Sequence, residues 1–150
     1  MANVKIGGRA SYALGDYVEK IDSDRVLVPG DCGKTFIIAN TAAISITLPD
    51  ISAMSTQEKE ANIGWHCNFI VQSISGGTAT IGNSSGDGNL LWGNMSSADG
   101  NSSSTGLDAV KDDISITTNC VAGDTVRLFY DGTYYYAHGQ QADNDHITIA

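Results

Sequence analysis

Apolar and polar residues alternate in short runs along this chain, and Gly, Asn, Asp and Pro separate the runs. The clearest run is Val126, Leu128 and Tyr130 alternating with Thr125, Arg127 and Phe129. A period of two sends successive side chains to opposite faces of a strand. Asp131-Gly132 supplies the turn that follows, because glycine accepts the positive φ of a tight turn. Tyr134 and Tyr136 begin the return strand, with Tyr135 on the opposite side.

The same reading predicts strands over Arg25 to Val28, Lys34 to Ala39 and Ile44 to Leu48, the last stopped by Pro49. Ser52 to Glu60 is the one predicted helix, capped by Ser52 or Ser55 and closed by Gly64. A strand over His66 to Ser73, a turn at Gly76-Gly77 and a strand over Thr78 to Ile81 then read as a second hairpin. Gly82 to Gly106 is a long polar excursion broken by Leu90-Leu-Trp92, a length that suggests a functional or interfacial segment. Ile114 to Thr118, the last hairpin and His146 to Ile149 bring the count to roughly nine strands. That spacing predicts an all-β fold, an antiparallel β-sandwich or barrel (jelly-roll-like) with one short helix. Residues 1–24 read as an extended N-terminal arm with a short strand at Val4 to Ile6, and residues 25–150 as a single domain.

Composition narrows the function more than it does the fold. Net charge is −9, and the eight basic residues are scattered, so no basic stripe is available to neutralise phosphates and nucleic acid is not an expected partner. No apolar run approaches a membrane span, and the polar start Met1 to Lys5 is not a signal peptide, so no membrane is expected. Cys32, Cys67 and Cys120 are isolated and odd in number, which points to free thiols in a protein made in the cytoplasm.

The sequence carries no recognisable catalytic pattern. His66, His138 and His146 form no metal-ligand spacing. Asp143-Asn-Asp145-His146 lacks the glycine and distal glutamate of a calcium loop and reads as a solvated turn. Glu58, Glu60, Asp112 and Asp113 do not read as carboxylates facing one another across a sugar cleft. No catalytic residues, cofactor or metal are therefore assigned. Exposed Tyr and Trp favour interfaces and sugar sites, which makes Trp92 and Tyr135 candidates for a binding surface.

Over residues 34–139 the order of elements carries a resemblance. Ile46-Thr-Leu-Pro49, a helical link ending at Gly64, Phe69-Ile-Val71 and Thr78-Ala-Thr-Ile81-Gly are followed by Val126-Arg-Leu-Phe-Tyr-Asp-Gly-Thr-Tyr-Tyr-Tyr-Ala-His-Gly139. This order resembles small all-β modules of tailed-bacteriophage virions, found in capsid decoration (cement) proteins and in fibre or tail-spike segments. The resemblance implies a non-enzymatic homotrimer on the outer surface of the phage head, partnered by the major capsid protein and clamping neighbouring subunits. The long Gly82 to Gly106 excursion and the leading residues 1–24 depart from the pattern. On this reading the capsid contact is assigned to the arm, around Val4, Ile6, Tyr12 and Tyr17. The alternative is a receptor- or glycan-binding module of a tail fibre or spike, using Trp92, Tyr135 and the excursion.

Overall fold

A computed structural model describes residues 17–50, 53–82, 91–99 and 111–149. The expected contact residues Val4, Ile6 and Tyr12, the strand at Val4 to Ile6 and most of the polar excursion lie outside the described residues.

Among the described residues, eleven strands form two sheets: β1 (Val18–Ile21), β2 (Arg25–Val26), β3 (Thr35–Asn40), β4 (Ile44–Thr47), β5 (His66–Ile74), β6 (Ala79–Gly82), β7 (Leu91–Ser97), β8 (Asp113–Ile116), β9 (Thr125–Tyr130), β10 (Tyr135–Gln141) and β11 (Ile147–Ile149). The larger sheet has the order β1-β3-β5-β9-β10-β7, and the smaller β11-β8-β6-β4-β2. The helix α1 (Thr56–Ala61) starts at Ser55, whose hydroxyl accepts from Glu58 N while the Glu58 carboxylate accepts from Ser55 N. Ser55 is thus the cap; Ser52, the other candidate, lies outside the described residues.

The all-β, two-sheet architecture is the one the alternation predicts, but strand direction differs. From β1 to β8 the chain alternates between sheets at every strand, so β1·β3, β3·β5, β2·β4 and β4·β6 pair in parallel. Residues 18–82 are therefore wound as a flattened coil, and only the later strands add antiparallel pairs such as β5·β9, β9·β10 and β6·β8. The expectation of an antiparallel sandwich is corrected on this point. A period of two reports which face is buried and carries no information on the direction of the neighbour. The second hairpin is corrected for the same reason: β5 lies in the larger sheet, while β6 lies in the smaller one between β4 and β8. Gly76-Gly77 is the crossover between layers.

The boundary at residue 24 also moves. β1 is a member of the larger sheet, parallel to β3, and Ile21 is buried. Its signal was weak because an edge strand has one flank uncovered, and Val18 to Ile21 buries only its last residue.

The core lies between the sheets. Phe36, Phe69, Leu128, Tyr130 and Tyr135 from the larger sheet meet Ile46, Ile81, Ile114, Ile116 and Ile147 from the smaller. Phe36 and Phe69 stack with ring centroids 5.4 Å apart, and Tyr130 lies 5.1 Å from Tyr135. The Tyr135 hydroxyl donates to Pro49 O at 3.0 Å, joining the layers where the smaller sheet ends. Among the described residues, no helix is long and apolar enough to cross a membrane.

Candidate functional site: the outward face of the larger sheet

With the inward positions of the larger sheet committed to the core, its alternate positions form a broad outer face, and strand register aligns them in rows. In the first row His66 stands beside Phe129, Phe129 beside Tyr136, and Tyr136 beside Trp92, on β5, β9, β10 and β7. The second row runs Val18, Thr35, Asn68, Arg127, His138 and Asn94. The third runs Lys20, Ile37, Ile70, Thr125, Gln140 and Ser96. Neighbouring strands are about 4.8 Å apart, so the residues of each row stand side by side across the sheet.

The aromatic row is open to solvent, with Phe129 at 43% and Tyr136 at 41% exposure. Trp92 is half-buried, and its indole meets the Tyr134 ring edge-on at 6.3 Å. In the polar row Asn68 Oδ1 accepts from Arg127 Nε at 3.1 Å. That bond orients the guanidinium through Nε and does not use its two terminal amino groups. Rows two and three enclose a shallow groove of about 350 Å³ between Thr35, Asn68, Ile70, Thr125, Arg127, His138 and Gln140. Its size is in the range of small-ligand sites. The strands bring together one guanidinium, two imidazoles, several amides and three aromatic rings. That set can bind and orient a polar ligand with a flat apolar side.

The residues singled out from sequence fall in different places. Trp92 belongs to the outer face. Tyr135 does not: it is 2% exposed and packs against Trp65 and Tyr130, so it is removed from the candidate binding surface. The pattern correctly separated Tyr135 from Tyr134 and Tyr136 but not which side was core. Tyr135 pairs with Tyr130 in the hairpin, and Tyr130 already faces inward. Tyr17 is half-exposed and lies against Gly33 beside β1, at the edge of the larger sheet.

Other groups with chemical potential are held in structural bonds. Cys120, Asp124 and His146 come within 4.8 Å of one another in the buried loops beyond β8 and β10. Asp124 Oδ2 accepts from His146 Nδ1 at 2.7 Å and from Val121 N at 3.0 Å, while Oδ1 accepts from Ala142 N at 2.8 Å. Burial and the nearby Asp124 carboxylate push the Cys120 thiol up to about 12, so it stays protonated, and it donates to His146 O at 2.8 Å. A metal would have to displace these donors and ionise that thiol, so the trio reads as a clasp between two loops. Asp145 accepts from Asn119 Nδ2 at 3.0 Å in the same clasp, which accounts for the acidic turn Asp143 to His146.

A second polar knot ties the first turn of the coil. Buried Asp31 lies 2.7 Å from Lys34 Nζ and 3.5 Å from Arg25, and accepts from Val28 N at 2.9 Å. Burial works against its ionisation, yet the Lys34 and Val28 hydrogen bonds and the neighbouring cations hold its carboxyl below the usual carboxylate range. Glu58 is occupied by its capping box, and Glu60 is exposed on the same helix. Asp112 and Asp113 are adjacent where β8 begins, and burial and the neighbouring Asp112 charge raise the Asp113 carboxyl above the usual carboxylate range.

No family model, curated protein or solved structure matches this chain. Fold and geometry define it as a mixed two-sheet β-sandwich whose larger sheet exposes aromatic and polar side chains on its outer face.

Proposed function

We propose that this protein is a non-enzymatic structural component of a phage particle, a decoration protein that binds the head as a homotrimer. The observation that supports this reading is the end of the sandwich that, among the described residues, no further strand covers. Both sheets terminate there, the larger in β1 and the smaller in β2. Tyr17, Val18 and Val28 are each 50% exposed and Val26 63%. An edge strand offers unpaired N–H and C=O groups to a neighbouring chain, and apolar side chains beside it add area to be buried. The described residues begin at this same end, with Tyr17 just before β1. Contacts made there three at a time would hold a head far more firmly than one contact alone.

Sedimentation velocity and head binding test the reading: a trimer is expected for residues 1–150, and the double variant Val26→Asp, Val28→Asp should stay trimeric but lose binding to heads. Purified heads of the encoding phage should survive heating longer when the protein is added back. A monomeric wild-type chain that leaves head stability unchanged sinks the proposal.

A further inference from the structure

The outer face of the larger sheet differs in charge from the rest of the molecule. The chain carries 17 acidic residues against 8 basic. Yet none of the outward strand positions of this sheet is Asp or Glu, whereas Lys20, Arg127 and two of the three histidines lie there. Asp131, in the hairpin turn beside the aromatic row, is already occupied by Thr133 N, Tyr134 N and the Tyr136 hydroxyl. Phe129, Tyr136 and Trp92 line the adjacent row over about 10 Å of sheet.

We propose that this face binds an acidic saccharide, with its sugar rings lying along Phe129, Tyr136 and Trp92 and a ring carboxylate held by Arg127. The inference is independent of the decoration role, which uses the opposite edge of the sheet around β1. Three features select this ligand class. The guanidinium, pre-oriented by Asn68, matches a planar carboxylate in two parallel hydrogen bonds. The amides of Asn68, Asn94 and Gln140 both donate and accept, as hydroxyl-rich ligands require. The flat aromatic row receives the apolar faces of sugar rings while the Tyr136 rim stays hydrated. A nucleic acid would need more cations than two over this area, against a strongly acidic body.

Full-length protein is titrated with oligogalacturonate and oligosialate, with methyl-esterified oligogalacturonate as the uncharged control. Tryptophan fluorescence reports on Trp92, since Trp65 is buried at 3% exposure. Binding of at least one acidic oligosaccharide with a fluorescence change is expected. Arg127→Gln should weaken it by about tenfold or more, the loss of a charge-assisted hydrogen bond, and leave the ester little affected. Phe129→Ala should weaken both. Each replaced side chain is exposed, and an unchanged melting temperature verifies that the variants fold. Equal affinity for acid and ester overturns the proposal, as does failure to bind either acidic oligosaccharide at millimolar concentration. Oligo-dT binding as tight as saccharide binding would reduce the face to a charge effect and overturn it too. So would a change in sedimenting mass of Phe129→Ala without any saccharide binding, because a second copy would then be what covers the face.

Discussion

At the scale of single residues, two buried carboxylates govern the stability of opposite ends of the sandwich. Asp124 accepts from two backbone N–H groups and from His146. Asp124→Ala orphans buried donors, and a loss of about 2–4 kcal/mol is expected in denaturant unfolding. Asp31 is the other, and its effect depends on pH. Its carboxyl is held below its unfolded value, so the stability it adds is present above that value and lost as pH falls through the folded one. Wild type should therefore lose stability below about pH 4 more steeply than Asp31→Asn, whereas at neutral pH the variant melts lower. Parallel curves for the two proteins would show that Asp31 contributes nothing through its charge. Neither Asp124 nor Asp31 stands out in the sequence. A lone aspartate in a glycine-containing loop looks the same whether it is solvated or surrounded by donors from distant strands.

At the scale of elements, the crossover at Gly76-Gly77 shows what short-range signals leave out. Two adjacent glycines after a strand read as a hairpin, yet here they pass under the β3–β4 turn. A Cβ on Gly77 would come within 2.1 Å of Ala43 N, and one on Gly76 within 2.4 Å of Thr41 O. Asn40, fully buried, staples the two turns by donating to Ala42 O at 2.7 Å and Gly77 O at 2.9 Å. The glycines are thus needed for close backbone approach between layers. Gly77→Ala must push two backbones apart and is expected to cost about 2 kcal/mol or more in an equilibrium melt. Gly30→Ala, where a Cβ meets nothing within 4 Å, serves as the mild control. By contrast, the β9–β10 hairpin is as the alternation predicts. Gly132 has φ of +105°, and Asp131 Oδ1 accepts from Thr133 N and Tyr134 N to close the turn.

At the scale of the molecule, the wound topology fixes where the chain can be shortened. Removing residues 1–16 leaves every described strand intact, and circular dichroism should report an unchanged β-fold. Removing residues 1–24 deletes β1, strips Ile21 from the core and takes Glu19 from the Arg25–Lys34 ion cluster. A lower melting temperature by several degrees is expected for that shorter chain, consistent with a loss of about 1–3 kcal/mol. Equal melting of the two truncations would show that β1 is dispensable. A deletion meant to probe the proposed contact at this end must therefore stop at residue 16.

Sequence by itself determined most of the elements and which of their positions share a face. Alternation located nine of the eleven described strands to within two residues, missing β1 and β7, separated Arg127 and Phe129 from the core-facing Val126 and Leu128, and put Tyr135 opposite Tyr136. These properties are local, because a strand's period and a glycine's turn are set by the residues themselves. Only the tertiary structure decided which strands are neighbours, which run parallel, and which face of the return strand is buried. The open face joins His66 to Trp92 through Phe129 and Tyr136, across strands from three separate parts of the chain. Pairing between such strands is fixed by burying both sheets at once, a global minimum of exposed apolar area that no local window contains.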